Sequence, residues 1–216
     1  MQDSCKSISS IGVMMWIAII GTRVPTDWQY ECARFLAEKL SELGHTIHTG
    51  AADGIDHAAM QGTPYQSIRL FLPWETYNEK LIYDTYPDHD QSVYGLVYDP
   101  TVHISWRDSV TKYHPHPEAL TKGSFALMAR NYGIVENCGL VLAFPKVANQ
   151  GGTGQGIRIA KGLGIKCPQF TAVCTMNKEQ ILAGILKFIA EAPVSKEPSE
   201  YIRKEETKEL QEWTPE

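Results

Sequence analysis

At 216 residues, with 43% hydrophobic and 21% charged side chains, the chain has an ordinary globular composition, which excludes a wholly disordered, collagenous or disulfide-scaffold architecture. The formal charge is −5, and residues 195–216 hold seven acidic against four basic side chains, so the remaining body is near neutral and lends no support to non-specific nucleic-acid binding. Five cysteines without a C-x-x-C pair argue against a zinc ribbon and fit a reducing, cytoplasmic setting.

Residues 1–13 are polar and Ser-rich and read as a flexible N-terminal arm. The apolar run Val13 to Ile20 is too short to span a bilayer and reads instead as a strand buried on both faces, Trp16 to Ile20, ending at Gly21. Thr26 and Asp27 can cap a helix whose apolar positions Trp28, Cys32, Phe35, Leu36, Leu40 and Leu43 recur near a 3.6 period until Gly44. A second strand, His45 to Thr49, leads through Gly50-Ala51-Ala52-Asp53-Gly54 into a helix from about Ile55, and Ser67 to Leu72 supplies a third strand.

From Pro73 to about Thr121 periodicity is lost, and the segment is expected to be an insertion of short elements, a lid over a ligand. Alternation returns with a helix over 124–135, a strand over 140–144, a helix over 153–163, a last strand over 165–170 and a helix over 177–190. The expected architecture is an α/β, Rossmann-like three-layer sandwich with a mostly parallel central sheet and an insertion between the third and fourth strands. It forms a single domain over 14–192, followed by a charged tail over 193–216.

Three strand-to-helix turns carry the candidate chemistry. Gly21-Thr22-Arg23 follows the first strand where open parallel sheets bind ligands, with Arg23 able to pair bidentately with a phosphate. Gly50 and Ala51 begin a second small-residue turn, with Asp56 placed to cap the next helix or to meet a ribose hydroxyl. Gly151-Gly152-Thr153 is a third, at the mouth of a helix whose free N–H groups can hold an anion, with Thr153 as a phosphate donor or cap. Arg130 and Asn131 can reach the same crevice, Trp74 and Tyr77 could stack a base, and His116 could line the pocket. Asp88, His89, Asp90, His103, His114 and His116 match no ligand spacing, so no metal site is assigned.

Taken in order, Gly21-Thr22-Arg23, Thr49 to Asp56, Ala129-Arg130-Asn131 and Gly151-Gly152-Thr153 resemble the motifs of the SLOG superfamily, over roughly Trp16 to Phe170. That group includes the DNA-processing protein DprA (Smf), the LOG phosphoribohydrolases and ligand-sensing domains of bacterial defence proteins. The resemblance is closest to a DprA-like branch common in phage and mobile-element genomes, on Leu72-Pro73-Trp74, His116-Pro117 and the Gly-Gly-Thr turn. The chain departs from the family pattern at Asp53, where DprA carries an Arg, and at Arg158, where LOG enzymes carry their catalytic Glu.

The leading expectation is therefore binding, to sense or sequester a nucleotide or nucleotide-derived ligand (ADP-ribose-like or a cyclic nucleotide), without a cofactor and in a homo-oligomer. The alternatives are a nucleotide N-glycosidase or phosphoribohydrolase using Glu75 or Glu136, and a DprA-like single-stranded DNA-binding accessory protein.

Overall fold

The computed structural model describes residues 14–87, 95–147 and 150–191; the arm over 1–13 and the tail over 193–216 lie outside the described residues. Five strands form one parallel sheet in the order β4-β3-β2-β1-β5. They are β1 (Trp16–Gly21), β2 (Thr46–Thr49), β3 (Ile68–Leu72), β4 (Leu96–Val97) and β5 (Leu140–Phe144). The helices are α1 (Asp27–Glu42), α2 (Ile55–Gly62), α3 (Glu79–Thr85), α4 (Ile104–Tyr113), α5 (Lys122–Val135), α6 (Gly151–Gly162) and α7 (Lys178–Glu191). Residues 14–182 form one compact unit, and Ala183–Glu191 belong to a second.

Strand β1 carries apolar side chains on both faces because both are covered. Ala18 and Ile20 enter a core with Trp106, Val110, Ala129, Ile134, Ile157 and Ile159, drawn from α4, α5 and α6. On the opposite face, a Cβ added to Gly21 would lie 2.4 Å from the Ile55 side chain, so α2 packs directly on the end of β1. The missing side chain of Gly21 is therefore what lets α2 pack this closely.

Helix α1 starts as its sequence dictates: the Thr26 hydroxyl accepts from Gln29 N, and Thr26 N donates to the Gln29 side chain, a reciprocal capping box. The amide of Gln29, buried, then donates to the carbonyls of Pro145 (3.1 Å) and Phe170 (2.9 Å). That single side chain ties the start of α1 to the turn leaving β5.

The strand expected over 165–170 is not a regular strand. It meets β5 only through isolated parallel bridges, Leu140 to Lys166 and Ala143 to Gln169. Val141 N and Ala143 N donate to the carbonyls of Lys166 and Pro168, but Pro168 has no N–H to return, and the ladder breaks there.

The segment from Pro73 to Thr121 contains α3, β4 and α4. Strand β4 pairs with β3, so a strand of the sheet lies inside the stretch expected to separate the third strand from the fourth. Trp106 and Val110 of α4 sit in the central core, with the Trp106 ring 5.8 Å from Phe71. Through these two side chains α4 completes the central core.

Candidate functional site

The carboxyl ends of the parallel strands open onto a cleft of ≈ 490 Å³. The turn after β1 supplies Gly21, Thr22 and Arg23; the turn after β2 and the start of α2 supply Ala52 and Asp56. Helix α5 contributes Arg130 and Asn131 among others, and the segment from β5 into α6 contributes Lys146, Val147, Gln150, Gly151, Gly152 and Thr153. The crevice thus brings together nine residues expected from the sequence: Gly21, Thr22, Arg23, Asp56, Arg130, Asn131, Gly151, Gly152 and Thr153.

Gly50 and Ala51 stand one layer behind. A Cβ on Gly50 would fall 1.1 Å from Nη1 of Arg130, so the missing side chain is what gives the guanidinium its place. Ala51 adopts φ +54, a left-handed conformation unusual for a residue with a Cβ, and its carbonyl accepts from Asn78 Nδ2 at 2.9 Å.

Arg130 is only 4% exposed and is balanced by Asp56, 6% exposed, with Nη1 and Oδ2 3.7 Å apart. Asp56 does not cap α2, whose cap position is Gly54; it lies in the first turn, and its Oδ2 accepts from Ala52 N at 3.3 Å. Burial raises the Asp56 pKa, while Arg130 and the backbone N–H groups of Ala52 and Gly50 pull it back. Asp56 is the one carboxylate among the described lining residues and is already committed within the protein.

Helix α6 begins two residues earlier than expected, at Gly151, with Gln150 as its cap position, so Thr153 lies inside the first turn and does not cap. Gly151 takes φ +58, and a Cβ there would meet nothing within 4 Å; at Gly152 the nearest atom would be Asn131 Nδ2 at 3.5 Å. The first turn of α6, through Gly151, Gly152 and Thr153, thus borders the cleft, and a helix start of this kind is where backbone N–H groups lack intrahelical partners. Asn131 Nδ2 braces this turn, donating to Gln155 Oε1 (3.1 Å) and to the Gly152 carbonyl (3.4 Å).

The other expected residues stand elsewhere. Trp74 is 40% exposed and packs edge-on against Tyr77, outside the cleft lining. The His116 side chain is 75% exposed and faces Glu118. Glu75 is exposed, and Glu136 accepts from the Trp106 indole at 2.6 Å, so neither carboxylate reaches the crevice. Arg158, at the LOG glutamate position, donates from Nε to the Tyr113 carbonyl at 2.7 Å, and Asp53 is exposed outside the lining.

One residue, Lys146, and one contact, between Arg23 and Tyr77, escaped the sequence reading. Lys146 follows the end of β5 as Arg23 follows the end of β1, and the same strand-end rule could have found it. Tyr77 is 7% exposed, and its hydroxyl accepts from Arg23 Nη2 at 3.2 Å, which no sequence spacing announces.

The fold and this crevice define a Rossmann-like α/β protein with a cationic hollow at its topological switch point, between β1 and β5. The family model described as DNA recombination-mediator protein A matches residues 9–70, from ahead of β1 into β3, and bears out the resemblance to the DprA-like SLOG group. Among solved structures, DNA processing protein A from Helicobacter pylori, described for its unique single-stranded DNA binding mode, is similar in fold. The TM-score is 0.51 at 19% identity, covering 94% of this chain and 83% of that one. No curated protein sequence matches significantly. Among the described residues, no helix is long and apolar enough to cross a membrane.

Proposed function

We propose that the cleft binds the sugar–phosphate backbone of single-stranded DNA, in a DNA-processing accessory role. The observation that carries this reading is the convergence of Arg23, Arg130, Lys146 and the open N-terminus of α6 on one hollow. The part of the chain that matches the DNA recombination-mediator protein A model supplies the first two turns of that hollow. Arginine pairs with phosphate oxygens in a fixed fork, a helix N-terminus adds backbone donors, and neither reads base identity, so binding is sequence-tolerant. The near-neutral body means that affinity rests on these few contacts rather than on a broad basic face.

A second reading, capture of a free nucleotide-derived ligand, is favoured by one observation: a hollow of ≈ 490 Å³ suits a single nucleotide. Phosphoribohydrolysis draws no support, because Glu75 and Glu136 stand off the cleft and Arg158 is bonded to Tyr113.

Fluorescence anisotropy of a labelled oligothymidylate at low salt, with thymidine monophosphate and ADP-ribose as competitors, separates the two. Tight oligonucleotide binding that millimolar mononucleotide barely displaces supports the DNA reading. Absent oligonucleotide binding, with either small molecule bound, overturns it in favour of the second.

A further inference from the structure

We infer that Tyr77 is a positioning residue of the cleft, fixing both arginines that face the ligand. This rests on the reading of the cleft as a phosphodiester site. Tyr77 is buried in a cluster with Leu70, Leu72, Ile82 and Tyr86, so its ring is anchored in the body of the protein. The turn that carries it is pinned next door, where Asn78, at φ +48, donates to the Ala51 carbonyl of the second Gly-rich turn.

From this anchor Tyr77 touches two cations on different elements. Its hydroxyl accepts from Nη2 of Arg23, on the turn after β1, at 3.2 Å. Its ring lies 5.8 Å from the Arg130 guanidinium, on α5. Arg23 is otherwise an exposed side chain on a turn, and an exposed arginine surrenders much rotamer freedom when a ligand orders it. A buried phenol that orders it beforehand removes part of that loss from the binding step. The ring contact gives the buried Arg130 an aromatic neighbour in addition to Asp56. With Trp74 against it edge-on and Arg130 beside its ring, Tyr77 acts through the arginines and not as the base-stacking surface expected from the sequence.

The test uses the full chain and a fluorescein-labelled oligothymidylate. Tyr77→Phe keeps the ring and loses the acceptor; it should weaken binding about fivefold with an unchanged melting temperature. In an Arg23→Ala background the same change should have no further effect. A lowered melting temperature, with losses that multiply across the two variants, would mean that Tyr77 is merely structural.

A second readout needs no DNA. In the ligand-free protein, guanidinium rotation of Arg23, followed by ¹⁵N and ¹³C spectroscopy, should be slowed in the wild type and fast in Tyr77→Phe. Equal rates overturn the inference even where DNA binds. A Tyr77-dependent rate in a protein that ignores the oligonucleotide overturns the DNA reading and leaves the positioning role standing.

Discussion

Arg130 Nη1 lies 3.7 Å from Asp56 Oδ2 with both side chains almost fully buried, at 5% and 8% exposure. The two partners are not equivalent, because a carboxylate can neutralise itself by taking up a proton and a guanidinium cannot. Asp56→Asn leaves an uncompensated buried cation and should cost about 3–5 kcal/mol of folding stability. Arg130→Met leaves a carboxyl whose pKa burial already raises, so its loss should be smaller at pH 5 than at pH 8. Urea denaturation of the two variants at both pH values checks this, and equal losses at pH 5 would contradict it.

Gly50→Ala places a methyl where Arg130 Nη1 now sits. The guanidinium must leave its seat beside Asp56, and we expect both a stability loss of about 2–4 kcal/mol and a loss of ligand binding. Calorimetry alongside the anisotropy assay reads both; a variant that folds and binds like wild type would show that the second turn does not set the position of Arg130.

Gly152→Asp is expected to separate binding from stability. The added Cβ meets nothing closer than 3.5 Å, and a negative charge in the first turn of a helix is favourable by about 0.3–1 kcal/mol. The same charge repels phosphate at the mouth of the cleft. The melting temperature should hold or rise while oligonucleotide affinity collapses; retained affinity would place the phosphate elsewhere.

His48 lies in the core beside Trp16, Phe71 and the Cys138 thiol, with Nε2 buried and without a partner among the described residues. Burial depresses its pKa to about 3, with Arg69 adding to the effect. The unfolded chain therefore takes up a proton below about pH 6.5 that the folded chain refuses, and stability falls as pH drops from there toward 3. The slope from this group is about 1.4 kcal/mol per pH unit. His48→Leu should lose about 2 kcal/mol less stability than wild type between pH 6.5 and 4.5; parallel curves would refute the assignment.

Where the sequence speaks in unbroken apolar runs or in caps, the fold was legible. Trp16 to Ile20, Leu140 to Phe144 and the Thr26 to Gln29 capping box each specify their element locally. The stretch after Pro73 was not legible, because its burial rests on scattered anchors, Tyr98, Trp106 and Val110, set among Pro, His and Asp, and because β4 is two residues long. Pro168 broke the ladder inside the segment read as a last strand, Ile165 to Phe170. The site divides in the same way. Its Gly-rich turns follow strand ends and can be read off the chain, whereas the bond between Arg23 and Tyr77 joins residues 54 apart and exists only once β1 and the segment after β3 lie side by side.

The central claim is that Arg23 and Lys146 meet DNA phosphates in the cleft, and the salt dependence of oligothymidylate binding tests it most directly. Each phosphate contact to a single strand contributes about −0.7 to the slope of log affinity against log salt. The account predicts that Arg23→Ala and Lys146→Ala each shallow the wild-type slope by about 0.7 while leaving the folded protein intact. Slopes and affinities indistinguishable from wild type in both variants would contradict it.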